Sequence, residues 1–206
     1  MSQVSEEMSK IIGLTGGIAS GKSTVTAYLR QKGYQVVDAD QLVHTLQAKG
    51  GLLYQALILA FGTGILGPGQ ELDRPKFAQL IFNDPAARKK SADLQDRIIR
   101  QELIKERDRL AQEEDIFFMD LPLLFELDYE DWFDEIWLVV LDEDQQLQRL
   151  MARNGYSLEE AQKRVASQMP LSKKIRLADQ LIDNNGSLED TYRQLGQQLQ
   201  RLAAEP

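Results

Sequence analysis

The sequence predicts an α/β fold in which a doubly wound parallel sheet is flanked by helices, with a helical lobe and a helical lid added. Three observations carry that expectation. Short apolar runs closed by glycine or aspartate are each followed by a turn or a helix, the order that builds a parallel sheet. The first strand, a glycine-rich turn, a helix and a second strand follow one another within about 30 residues, the size of a βαβ unit. Two later stretches of helical periodicity are too long for plain crossovers.

Taken in order, Ile11-Ile12-Gly13-Leu14 is an apolar run that suits a buried parallel strand. From Ser23 the period becomes helical, with Val25, Tyr28 and Leu29 on one face, and Gly33 stops it. Tyr34–Val37 is a second strand ending at Asp38. Between there and the next strand lie helices over Leu52–Phe61, Phe77–Phe82 and Ala86–Gln112, the last being one long helix or two in succession. The loop Gly62–Gly69 holds four glycines and one proline and should bend sharply. Ile116–Met119 ending at Asp120, Ile136–Leu141 ending at Asp142, and Gln180–Ile182 ending at Asp183 read as further strands. A second helical insertion runs between Asp144 and Ala178, and a helix over 188–203 closes the chain. No linker or internal repeat divides it. The chain reads as a single domain, 1–206, with a core of about 10–43, 114–142 and 179–206, a substrate lobe of about 44–113 and a lid of about 143–178.

Composition narrows the function. The chain has 206 residues, 43% hydrophobic and 27% charged, enough to bury a core without staples. It has no cysteine, which excludes disulfide scaffolds, cysteine-ligated zinc, iron–sulfur clusters and thiol nucleophiles. A single histidine, His44, excludes two-histidine metal sites. The net charge of −8 argues against a nucleic-acid coat or a membrane-surface binder. No apolar run approaches the roughly 20 residues that span a bilayer. Met1–Ser9 is a polar stretch that does not read as a secretory signal, so the expected location is the cytoplasm.

The most specific local signal is Gly16-Gly17-Ile18-Ala19-Ser20-Gly21-Lys22-Ser23, which matches G-x-x-x-x-G-K-[ST], the phosphate-binding loop. Glycines let consecutive N–H groups turn inward around an anion. Lys22 sets a compact positive charge against the β- and γ-phosphates, and the Ser23 hydroxyl can coordinate Mg²⁺. The helix that starts there adds the positive end of its dipole. The dinucleotide signature G-x-G-x-x-G is absent from this turn, and the chain has no N-K-x-D guanine-reading motif. Its size is that of a small-metabolite kinase, which adds a substrate lobe and a basic lid to a P-loop kinase core.

Two carboxylates, Asp38 and Asp40, follow the second strand, at the end of the sheet where ligands sit. One can accept the proton of an attacking hydroxyl and one can hold Mg²⁺ through water. Either can instead cap the helix that follows. In the lid, Arg149 to Arg176 contains seven cations (Arg149, Arg153, Lys163, Arg164, Lys173, Lys174, Arg176) against two anions, which suits a polyphosphate ligand. Arg149 and Arg153 are four residues apart and share a helix face. Lys163 and Lys173 read as solvated. Ser157-Leu158-Glu159-Glu160 is a capping box, and Gly155 before it a candidate hinge.

Together these motifs resemble the dephospho-CoA kinase family. The resemblance lies in Ile12–Thr24, in Val36-Val37-Asp38-Ala39-Asp40, and in Leu72-Asp73-Arg74 with Phe82. It continues in Pro122-Leu123-Leu124-Phe125-Glu126, in Arg149-Leu150-Met151-Ala152-Arg153, and in Ala178-Asp179 with Ile182-Asp183-Asn184-Asn185-Gly186. It implies ATP- and Mg²⁺-dependent phosphorylation of the ribose 3′-hydroxyl of dephospho-CoA, a small-molecule substrate, with no nucleic acid or membrane as partner. It implies a nucleotide site at Gly17, Ile18, Ala19, Ser20, Gly21, Lys22, Ser23 and Thr24, with Arg153, and with Asn184 near the adenine. Lys22 and Arg149 would stabilise charge on the transferred phosphoryl group and Asp40 would be the general base. Asp38, Asp40 and Arg74 would face the substrate. Where the family usually has Leu-His-Pro, this chain has Leu94-Gln95-Asp96. Asp120 reads equally as a turn cap or a Mg²⁺ ligand. Trp132, Phe133 and Trp137 read as packing residues, His44 as a surface or packing residue, and the mixed charges of 84–115 as a solvated helix.

Overall fold

The computed structural model describes residues 9–204. The polar stretch expected over 1–9, apart from Ser9, lies outside the described residues.

Strand β1 is Lys10–Gly16, and α1 is Lys22–Gln31. Gly33, at φ 93°, turns the chain toward β2, Val36–Asp38, which is followed by α2, Ala39–Gln47. Then come α3, Leu52–Phe61, α4, Arg74–Asn83, and α5, Pro85–Leu110. Strands β3, Ile116–Asp120, and β4, Glu135–Val140, precede α6, Glu143–Asn154, α7, Leu158–Ala166, and α8, Leu171–Leu177. Strand β5, Gln180–Asp183, and α9, Leu188–Ala204, complete the described chain.

The five strands lie in the order β2-β3-β1-β4-β5. β1 pairs in parallel with β3 and β4, and β4 pairs in parallel with β5. The chain leaves β1 toward β2 on one side, returns through β3, and crosses to β4 and β5 on the other. Connections thus run in opposite directions from the adjacent strands β1 and β3. That is the switch point of a doubly wound sheet, where a crevice opens beyond the carboxyl ends of the strands.

The chain divides into two compact units, one of residues up to Val37 with Leu110 onward, the other Asp38–Arg109. In the first, Ile12 and Leu14 of β1 pack with Phe118, Trp137, Val139 and Ile182 under Val25 and Leu29 of α1 and Leu195, Leu199 and Leu202 of α9. The helix residues recur at intervals of three and four, and those on β1 and β4 at intervals of two, so periodicity alone selects the buried face. Trp137 is fully buried and donates its indole N–H to Glu135 at 2.8 Å.

The second unit has its own core of Leu46, Leu53, Tyr54, Leu57, Ile65, Leu66 and Phe77, with Leu94, Ile98 and Ile99 of α5 against it. The glycine-rich loop bends as expected. A short 3₁₀ turn over Thr63–Ile65, an antiparallel bridge between Leu66 and Leu72, and a bond from the Tyr54 hydroxyl to the Gln70 carbonyl hold it. The sequence left open whether one helix or two follows, and α5 is one continuous helix of 26 residues. Asp96 supplies an ordinary backbone N–H within it and accepts from Arg100 at 3.1 Å. Lys89 and Asp93 also pair, at 2.7 Å, as a solvated helix face would.

Candidate active site

The chain turns from Gly16 directly into the loop that precedes α1. Ser20 donates its N–H to the Gly17 carbonyl at 3.1 Å, and Thr24 donates to that of Gly21 at 2.9 Å. Two loop residues are left-handed, Ala19 at φ 57° and Gly21 at φ 90°. At Gly21 a side chain is doubly disallowed: the backbone disfavours it, and its Cβ would run into the Asn184 amide. Left-handed residues in such a turn make successive N–H groups converge into an anion-binding nest. The N-terminus of α1 adds its partial positive charge.

Each neighbour of the loop is itself held. Lys22 forms an ion pair with Asp120, the last residue of β3, with side chains 15% and 9% exposed. β1 and β3 are adjacent, with Leu14 opposite Asp120, so the pair stands at the switch point. Asn184, just after β5, is 7% exposed. Its Nδ2 donates to the Ser20 carbonyl at 2.8 Å and its Oδ1 accepts from the Thr191 hydroxyl at 2.9 Å. Arg149, half-buried on α6, donates to the Asn184 backbone carbonyl at 3.2 Å. Gln146 on α6 donates to the Ile18 carbonyl at 2.6 Å, and the Ile18 N–H donates to Gln168 at 2.8 Å.

Loop, Lys22, Asp120, Arg149 and Asn184 thus come together in one unit. The side chain of Asn184, expected near adenine, is committed to Ser20 and Thr191. The backbone amide of Ile18, expected on the nucleotide, is committed to Gln168. Ser23 is exposed in the first turn of α1, and its carbonyl accepts from the Thr26 hydroxyl at 2.9 Å. Arg153 is exposed and bonds to Asn154 at 2.9 Å, whereas Arg149 turns to Asn184. Lys174 does not belong to a cationic surface: it is 1% exposed, 2.8 Å from Glu126. Burial raises the Glu126 pKa, but Lys174 and the Met169 N–H outweigh it and hold the carboxyl below its usual value. Lys163 pairs with Glu159 at 2.7 Å, and Arg164 lies 4.2 Å over the Tyr156 ring. The Ser157 capping box forms with both of its bonds.

In the second unit, Asp38 caps α2 by accepting from the Gln41 N–H at 2.9 Å, while Asp40 is exposed in the first turn of that helix. Arg74 is exposed at the start of α4, behind Asp73, which accepts from the Lys76 N–H at 3.0 Å. His44 is exposed on α2.

Sequence reasoning missed Gln146, Gln168, Thr191 and the Glu126–Lys174 pair. One signal was present: Gln146 is a polar residue in the buried stripe of α6 beside Leu147 and Leu150.

A parallel sheet of this order, with such a loop at its switch point and a lysine set against an acidic strand end, is the plan of a phosphate-loop kinase. The solved structure of a Thermus thermophilus protein, TT1252, has a TM-score of 0.79 at 37% identity, over 95% of this chain and 98% of that one. The dephospho-CoA kinase from Campylobacter jejuni has a TM-score of 0.73 at 26% identity, also over 95% and 98%. The curated Streptococcus mutans protein named dephospho-CoA kinase is 62% identical over 198 residues, 96% of this chain and 100% of the relative. The dephospho-CoA kinase family profile matches residues 10–190. The chain belongs to the dephospho-CoA kinase family.

Proposed function

We propose that the chain transfers the γ-phosphoryl group of ATP to the ribose 3′-hydroxyl of dephospho-CoA, giving coenzyme A and ADP, the last step of coenzyme A synthesis. The observation that carries it is the Lys22–Asp120 pair at the switch point, beside the left-handed loop, in a chain that matches the family from residue 10 to 190.

Phosphoryl transfer asks the protein for positioning and charge neutralisation. In this reading the loop amides and the α1 dipole bind the triphosphate. Lys22 neutralises charge on the transferred group, and Asp120 holds Lys22 in place. Arg149, fixed through Asn184, supplies a second cation, and Arg153 adds charge at the same helix. Asp40 takes the proton of the attacking hydroxyl. Its carboxylate remains for that work because Asp38 provides the cap of α2. Arg74 contributes to substrate binding in the lobe.

Mg²⁺ takes few protein oxygens and keeps waters and phosphates as its other ligands. The Ser23 hydroxyl and the Asp120 carboxylate are donors of that kind, and the bound ion would offset phosphate charge. Among the described residues no helix is long and apolar enough to cross a membrane. The proposed setting is the cytoplasm, where ATP is held as a pool.

The test incubates the chain with ATP, Mg²⁺ and dephospho-CoA and follows ADP and the 3′-phosphorylated product together. Equal amounts of both are expected. ADP formed only with another alcohol or a nucleoside as acceptor would overturn the assignment of substrate.

A further inference from the structure

Ile18 is held at both of its backbone groups by glutamines from the α6–α8 segment. Gln146 Nε2 donates to its carbonyl at 2.6 Å, and its N–H donates to Gln168 Oε1 at 2.8 Å. The backbone partner fixes the sense of each bond, so neither amide can be turned over without losing it. Gln146 is 9% exposed, and a Cβ at Gly17 would come within 2.8 Å of its Nε2, so the missing side chain at Gly17 makes room for this amide. Gln168 lies between α7 and α8. The next residue, Met169, donates its N–H to Glu126 at 3.0 Å, and buried Lys174 stands 2.8 Å from the same oxygen. The connector is therefore anchored at Glu126 and reaches the loop at Ile18.

Directly after Ile18 comes Ala19 at φ 57°. A left-handed alanine is strained and persists only where its surroundings over-determine it. The Ala19 methyl packs with Ile18 against Leu147, Leu150 and Ala161, and the backbone on its N-terminal side is held by the two glutamines.

We propose that Gln146 and Gln168 are positioning residues for the phosphate loop: by holding both backbone groups of Ile18 they keep Ala19 left-handed and preset the loop for a triphosphate. They act through Ile18 and Ala19 and not on the reacting atoms. The inference rests on the assignment of this loop to ATP.

The test replaces each glutamine by methionine, which keeps length and removes the amide. Calorimetry with ATP and Mg²⁺ should give a Kd raised about tenfold in Gln146→Met and in Gln168→Met, the effect of one lost hydrogen bond. The KM for dephospho-CoA should stay within about twofold of the parent, because only triphosphate binding depends on the loop. Because both restrain one residue, Ile18, through the peptides on either side of it, the double variant should lose less than the product of the two. Ala19→Gly placed in the Gln168→Met chain should restore the ATP Kd to within about threefold, since glycine takes the left-handed conformation without restraint. An unchanged ATP Kd, an equal loss for both substrates, or no rescue by glycine would each overturn the proposal. Should the methionine variants not fold, hydrogen exchange on the parent decides. The Ile18 amide should be protected equally with and without ATP, and free exchange of that amide in the ATP-free protein overturns the brace. Parent protein that binds ATP but yields no product from dephospho-CoA counts against the substrate assignment and leaves the brace standing.

Discussion

Asn184 donates its side-chain amide to the carbonyl of Ser20 at 2.8 Å, tying the turn after the last strand to the loop after the first. The Asn184 backbone carbonyl accepts from Arg149, so one residue links the phosphate loop to the cation of α6. Truncation to Asn184→Ala leaves buried partners unsatisfied and should cost about 2 kcal/mol of stability. ATP and GTP affinities should fall by the same factor, because the amide is spent on the protein and not on the base. A changed ATP-to-GTP preference in calorimetry would show that it reads the base after all.

Lys22→Ala should lower turnover by about two to three orders of magnitude, the usual effect of removing a charge aimed at a transition state. It should also lower the melting temperature, because Asp120, 6% exposed, loses its ion pair with Lys22. Adding Asp120→Asn should recover part of the stability and none of the turnover. Recovery of both would mean that Lys22 serves only to satisfy Asp120.

Asp38 and Asp40 should separate cleanly by mutation. Asp40→Asn should reduce kcat about 10²- to 10⁴-fold with little change in melting temperature, as expected of an exposed general base. Asp38→Asn should keep most of the stability because asparagine caps as well as aspartate, whereas Asp38→Ala should cost about 1 kcal/mol. Near-normal turnover in folded Asp40→Asn protein removes it as the base.

The Glu126–Lys174 pair should appear as acid sensitivity. The folded pKa of Glu126 lies below its ordinary value of 4.5. Its contribution to stability is therefore complete above that value and is lost as pH falls through the folded pKa. Urea midpoints should drop as the pH falls below 4.5 in the parent, and less steeply in Glu126→Gln. At neutral pH Lys174→Ala should cost about 3 kcal/mol, since it takes the ammonium away from a half-buried carboxylate that keeps the Met169 N–H. Identical acid slopes in parent and Glu126→Gln would place the acid sensitivity elsewhere.

Much of the fold was legible in the chain. The helix Leu52–Phe61 begins and ends where periodicity puts it, and each apolar run closed by an acidic residue became a strand. The single unbroken α5 was not legible, because its period is the same whether the helix bends or continues. Lys174 looked like one of seven lid cations. Nothing in its neighbours distinguishes a lysine that meets solvent from one that meets Glu126.

By itself the sequence determined the phosphate loop, the strands and the helices, because those depend on residue types a few positions apart, within reach of local sterics and periodicity. Only the tertiary structure decided which polar groups remain available. Asn184 meets Ser20 across 164 positions and Gln168 meets Ile18 across 150. A side-chain amide has the same composition whether it faces a ligand or a carbonyl of its own chain. The choice is made by what the packed sheet brings within 3 Å of it.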